Sequence, residues 1–113
     1  MSPQLKTAFA TEMQQAKDYF RVGDVSSAFV HLERAHILGQ RDTLRHTWSH
    51  WWMFRVGLRR RDFLEARGQV LRMAAALMFS RIWVPEGNTG GANVSPLKPM
   101  PIPADLRELL KKN

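Results

Sequence analysis

The chain repeats itself. Phe20-Arg21-Val22-Gly23 recurs as Phe54-Arg55-Val56-Gly57, 34 positions on. Downstream of the glycines the offset becomes 38, where Asp24 matches Asp62, Ala28 matches Ala66 and Leu32 matches Val70. Self-similarity at a period of this length marks folds built by stacking one small supersecondary unit. The change of offset is accounted for by Leu58-Arg59-Arg60-Arg61, about one extra helical turn. Two copies of one helix-turn-helix unit explain both offsets.

The unit is helical because its apolar residues recur at three and four. Ser2 is placed to cap a first helix with Pro3 in its first turn, and Leu5, Phe9, Met13, Ala16 and Phe20 form one stripe. Gly23 stops that helix and Asp24 caps the next, which is expected over about residues 25–38, with Val25, Ala28, Phe29, Leu32 and Ala35 facing the core. Gly39 ends it. A third helix begins near Asp42 and carries Leu44, Trp48, Trp51, Phe54 and Leu58; Asp62 and Glu65 have the spacing of a carboxylate-led capping box for a fourth. There Phe63, Ala66, Val70, Met73, Leu77 and Met78 continue toward Trp83, and Pro85 cannot extend the helix. Residues 85–103 are rich in glycine and proline, but Val94, Leu97, Met100 and Ile102 predict an arm that packs back on the helices. Asn88-Thr89-Gly90-Gly91 is a candidate backbone nest for an anion, but its glycines read rather as residues that permit tight turns. Ala104 to Lys112 has the pattern of a short amphipathic helix through Leu106, Leu109 and Leu110. The expected fold is therefore all-α: two antiparallel helix hairpins over residues 1–84, with 85–113 as an arm on the same domain.

Ala16, Tyr19, Gly23-Asp24, Ala28, Leu32 and Ala35 place small, aromatic, turn, small, large and small residues where a tetratricopeptide repeat has them, and the first hairpin resembles that unit. Over its whole length the chain resembles a bacterial family catalogued as domain of unknown function 3703. Two stretches carry this likeness: His31-Leu32-Glu33-Arg34-Ala35-His36-Ile37-Leu38-Gly39-Gln40 and Gly87-Asn88-Thr89-Gly90-Gly91-Ala92-Asn93-Val94-Ser95. The first resemblance implies stacked helix hairpins; the second implies no activity.

Composition narrows the chemistry. The absence of cysteine excludes disulfides, thiolate metal sites and cysteine nucleophiles. No apolar run approaches the ~20 residues of a membrane-spanning helix. Met1-Ser2-Pro3-Gln4-Leu5-Lys6 lacks the order of a signal peptide, so a cytoplasmic location is expected. No Ser/His/Asp order or nucleophile elbow is present, and the expectation is a protein that is not an enzyme.

Four histidines lie within twenty residues: His31, His36, His46 and His50. His46 and His50 fall about 40° apart on one helical face, shared with Met53, Phe54 and Gly57. On the preceding helix His36 lies on the apolar stripe with Glu33 about 60° away, while His31 points elsewhere. The short loop around Gly39 to Arg41 makes these two helices antiparallel, which sets His36 opposite His46 and Glu33 near the level of His50. Glu33, His36, His46 and His50 thus form a candidate ligand set for one divalent, Zn-like transition metal. The alternative is that they are buried histidines hydrogen-bonded to backbone and to one another.

A net charge of +7 favours acidic partners, nucleic acid among them. Arg45, Trp48, Trp52, Arg55 and Arg59 follow one side of the third helix, a composition favoured at protein interfaces. No recognised nucleic-acid motif accompanies the charge. The leading expectation is a non-catalytic interaction module with a protein partner or a second copy of itself; the alternative is a metal-binding protein.

Overall fold

The structure, a computed structural model, describes residues 1–80 and 82–111. It is all-helical: α1 (Pro3–Arg21), α2 (Val25–Gly39), α3 (Thr43–Arg59), α4 (Phe63–Phe79) and a short α5 (Ala104–Lys111). No helix is long and apolar enough to cross a membrane among the described residues.

Each of the four long helices starts on a side-chain cap. Ser2 Oγ accepts from the Leu5 amide at 3.2 Å, and Asp24, Asp42 and Asp62 accept from the amides of Ser27, Arg45 and Glu65 at 3.0–3.1 Å. Such a cap contributes about 1 kcal/mol by pairing an amide that the helix leaves free. The helices then pack in pairs, α1 on α2 and α3 on α4, and α2 joins the pairs by packing on α3. Leu5, Phe9, Met13 and Ala16 of α1 meet Ala28, Leu32 and Ala35 of α2, with Met53 and Val56 added from α3. The arm returns to this core: α5 contacts α1 and α2, and Leu106 is fully buried in it. Lys112, the expected end of that helix, lies outside the described residues.

The repeat is realised at the offset of 38 rather than 34. Gly23 (φ +88°) turns the chain out of α1, with Asp24 N donating to Tyr19 O. Its counterpart is Arg61 (φ +57°), with Asp62 N donating to Gly57 O. The extra turn carries Gly57 inside α3, where it does other work: a Cβ there would lie 3.1 Å from the Ala66 amide nitrogen. Gly57 therefore sets how closely α3 and α4 approach.

Three expectations need correction. Helix α4 stops at Phe79, with Ser80 as its C-cap, instead of running toward Trp83; Ser80 Oγ bonds Ala76 O at 2.7 Å and Thr43 Oγ1 at 3.0 Å. On α3 the face of His46, His50, Met53 and Gly57 packs inward as expected, joined by Ser49 and Val56, while Leu44 is 78% exposed and Trp48, Trp51 and Leu58 are also exposed. On α4 only Ala66, Gln69 and Ala76 are buried, and the apolar stripe through Phe63, Val70, Leu77 and Met78 faces outward. The reason is common to both helices: each has more apolar circumference than one neighbouring helix can cover. In the arm, Ile102 packs against the core as expected, whereas Leu97 is exposed.

Candidate metal centre

The α2–α3 junction is where the fold changes from an apolar to a polar core. At one end Leu32 of α2 and Met53 and Val56 of α3 are fully buried; at the other, His36, His46 and His50 fill the same joint. One turn separates His46 from His50 on α3, and the tight 40–42 link brings His36 across from them. Their three Nε2 atoms form a triangle: 2.9 Å between His36 and His46, 3.1 Å between His36 and His50, and 3.2 Å between His46 and His50. Imidazole nitrogens about 2.0–2.1 Å from one zinc ion stand ~3.3 Å apart in a tetrahedron and ~2.9 Å apart when cis in an octahedron. The triangle falls between these two.

The outer nitrogens decide where the protons are. His36 Nδ1 donates to Asn88 O at 2.7 Å, since a carbonyl can only accept. Gln69 Nε2 donates to Glu65 Oε2 at 2.7 Å and to Gly90 O at 2.9 Å, which turns Gln69 Oε1 toward His50 Nδ1 at 2.5 Å. His50 therefore also carries its proton on Nδ1. Both rings present bare Nε2 lone pairs to each other, with no proton between them. His46 Nδ1 is buried without a partner. A proton on His46 Nε2 can be shared with one neighbour at a time, so the three neutral rings cannot satisfy one another. A cation shared by the three Nε2 atoms would meet all three of their lone pairs.

All three rings are neutral near pH 7. Burial pushes His46 down to about 4, and burial with the neighbouring His46 pushes His50 down to about 3. His36 is held well below the usual imidazole range by burial, and His50 and His46 add to it. These three histidines are the group of potential ligands whose donor atoms lie within 4.8 Å of one another among the described residues.

Glu33 is outside that group. Its half-buried carboxyl bonds Thr89 and is raised above the ordinary carboxylate range, by burial first. Its angular offset on α2 turns it toward the glycine-rich segment instead of toward α3. His31 pairs with Glu12 at 3.1 Å and stacks on Tyr19, away from the triangle.

The arm closes the site. Asn88 spans a loop, its amide donating to the carbonyls of Ser95 and Lys98 at 2.8 Å and its Oδ1 accepting from Gly90 N at 2.9 Å. Gly90 (φ +88°) lies flat against His36: a Cβ there would stand 2.6 Å from His36 Cδ2. Neither Gln69 nor Asn88 was among the residues expected from the sequence. Gln69 did carry a signal, a lone polar residue on the inward side of α4 between Ala66 and Met73. Asn88 carried none beyond its place in a turn-rich stretch. Beside the triangle opens a cavity of about 250 Å³, with Arg72 and apolar walls that include Ala75, Phe79, Val84 and Leu97.

The arginine and tryptophan face lies between α1 and α3, and its cations cap rings of the chain itself. Arg55 sits over Trp52 at 4.3 Å and over Phe20 at 5.2 Å. Arg59 sits over Phe20 at 4.7 Å and donates to its carbonyl. Arg45 pairs with Asp42 at 2.9 Å, and the exposed Trp48 meets Trp52 edge to face beneath Lys17.

No curated protein and no solved structure matches the chain. The family described as "Protein of unknown function (DUF3703)" matches residues 3–110, and the chain belongs to that family.

Proposed function

We propose that the protein is a transition-metal-binding module that holds one divalent, Zn-like ion on Nε2 of His36, His46 and His50. The observation that carries this reading is the pair of fixed tautomers. Asn88 and Gln69 hold protons on the outer nitrogens of His36 and His50, so two lone pairs converge at 3.1 Å with nothing to share. Outer hydrogen bonds of this kind orient metal-bound imidazoles and keep the ligating nitrogen free. Three neutral nitrogen ligands suit Zn²⁺, Co²⁺, Ni²⁺ or Cu²⁺ and do not suit Mg²⁺ or Ca²⁺. The test is a Co²⁺ titration of protein purified without an affinity tag, followed in the visible spectrum, with elemental analysis of the untreated sample. One ion per chain is expected, with affinity at least 100-fold weaker in the His46→Ala/His50→Ala double variant. Failure of Zn²⁺, Co²⁺, Ni²⁺ and Cu²⁺ alike to bind at one equivalent would end the proposal.

A second reading, self-association, is supported by α4 and is compatible with the first. Phe63, Val70 and Leu77 recur every seven residues, as do Leu64, Leu71 and Met78, and all six are exposed. The two rows stand about 100° apart, so together they make one broad exposed apolar face on α4, of the kind that marks an interaction surface. The occupant inferred is α4 of a second copy. Light scattering after size-exclusion chromatography should give twice the chain mass, and Leu71→Glu with Met78→Lys should return the monomer mass. A monomer at 100 µM before any substitution would refute this reading.

A further inference from the structure

The charges around the triangle do not balance. Three neutral imidazoles leave the full double charge on a divalent ion. The only other charged side chain lining the cavity, among the described residues, is Arg72, also a cation. Its guanidinium is half-buried and anchored to backbone: Nη1 donates to Gly91 O and Nη2 to Val94 O, both at 2.7 Å. No carboxylate pairs with it among the described residues. Glu65, the acidic side chain whose charge acts on Arg72, is occupied by Gln69 and by the Ala92 amide, and reaches the triangle only through Gln69. The pocket opens to solvent, with Phe79, Trp83 and Leu97 more than half exposed around it, and a fixed guanidinium beside a dication there favours an anionic occupant.

The walls say what else that occupant is. Ala75, Phe79, Trp83, Val84 and Leu97 line the space, and its volume of about 250 Å³ equals roughly eight water molecules at ~30 Å³ each. Water or an inorganic ion would fill the polar end and leave the apolar end bare. We propose that the cavity takes a small organic carboxylate with an apolar body, its carboxylate on the metal beside Arg72 and its body against Phe79, Trp83 and Leu97. This rests on the metal reading above, and it assigns the open coordination position a ligand class.

The experiment uses the Co²⁺-loaded full chain, titrated in turn with acetate, hexanoate, benzoate and azide while the visible bands are recorded. Benzoate and hexanoate are expected to shift the bands with apparent affinities at least tenfold above that of acetate. Phe79→Ala should remove most of that preference while leaving acetate unchanged. Arg72→Gln should weaken every anion at least tenfold, and Arg72→Lys should recover part of the loss. Circular dichroism and the Co²⁺ titration of each variant establish that fold and metal site are intact. Bands that respond to no carboxylate, or respond equally to acetate and benzoate, overturn the proposal while the metal reading stands. A response to azide alone overturns it in favour of a small inorganic anion. A protein that takes up none of Co²⁺, Zn²⁺, Ni²⁺ and Cu²⁺ sinks both readings, whereas metal uptake without a carboxylate response sinks only this one.

Discussion

Acidifying the metal-free protein from pH 7 to pH 4.5 is expected to remove about 5 kcal/mol of stability through two imidazoles alone. In the unfolded chain a histidine titrates near 6.5; in the fold, burial holds His46 to about 4 and His50 to about 3. Between those values the unfolded chain binds protons that the folded chain refuses, so stability is complete above pH 6.5 and falls as the pH is lowered through the window. For each of these two groups the loss by pH 4.5 is about 2–3 kcal/mol. His36, depressed for the same reason, adds to the loss. The other shifted groups do not imitate it. Asp24, Asp42 and Asp105 are held below their ordinary value of 3.8, so their stabilisation is lost only at lower pH. Glu33, raised above 4.5 by burial, favours the fold as it gains a proton and works in the opposite direction. Domains of this kind are stable by about 5–15 kcal/mol in all. Urea unfolding of chelator-treated protein, read by circular dichroism at pH 7, 6, 5.2 and 4.5, measures the slope. The reasoning is refuted if the unfolding free energy changes by less than 1 kcal/mol across that range, or if His46→Leu leaves the slope unaltered.

Three substitutions probe the supports of the site. Gly90→Ala places a methyl 2.6 Å from the His36 ring at a φ of +88°, so it should cost about 2 kcal/mol in strain and at least tenfold in Co²⁺ affinity. An unchanged Co²⁺ isotherm would show that His36 does not depend on the arm. Gln69→Leu removes the acceptor that holds His50 in its tautomer and should weaken Co²⁺ about tenfold. An unchanged Co²⁺ affinity in that variant would refute the assigned proton position. Gly57→Ala gains about 1 kcal/mol of helix propensity but drives a Cβ to 3.1 Å from backbone of α4, and the net effect on thermal unfolding should be a lower midpoint. A raised midpoint would mean that α3 and α4 separate easily.

How far the sequence spoke depended on the range of the interaction. Caps at Ser2, Asp24, Asp42 and Asp62 act within three residues and were legible, as were the stripe of α1 and the pairing of His36 with His46 across a short loop. The Gly57 match was visible, but its role was not, because one extra turn converts a turn glycine into a packing glycine. The outward face of α4 was illegible for a different reason. Periodicity reports that a face is apolar and is silent on whether the same chain supplies the surface that covers it. Glu33 shows the limit of angular arithmetic: a helical offset of about 60° near a joint is enough for Thr89 on the arm to hold a carboxyl that spacing alone had aimed at α3. The Asn88 and Gln69 contacts join elements 52 and 19 residues apart, where no local pattern can announce them.

The polar end of the α2–α3 joint is difficult to explain as packing. Leucine or phenylalanine at 36, 46 and 50 would continue the apolar core of Leu32, Met53 and Val56 without burying a lone pair. A buried polar atom left unpaired costs about 1–3 kcal/mol, and the three rings leave at least the His36–His50 contact and His46 Nδ1 in that condition. Against that cost the fold commits Gln69 of α4, the carbonyl of Asn88 and a glycine with positive φ to hold the rings where they are. Hydrogen bonds spent on fixing Nδ1 protons do nothing for the joint that a methyl group would not do better. What they do uniquely is keep the Nε2 lone pairs of His36 and His50 aimed at one point beside His46 Nε2. An ion bound there belongs to α2 and α3 at once, and to the arm and α4 through their outer nitrogens, so binding and the docking of one hairpin on the other must share a single free energy. An ion present at 1,000 times its dissociation constant would add about 4 kcal/mol to that docking, comparable with what the buried imidazoles lose in acid.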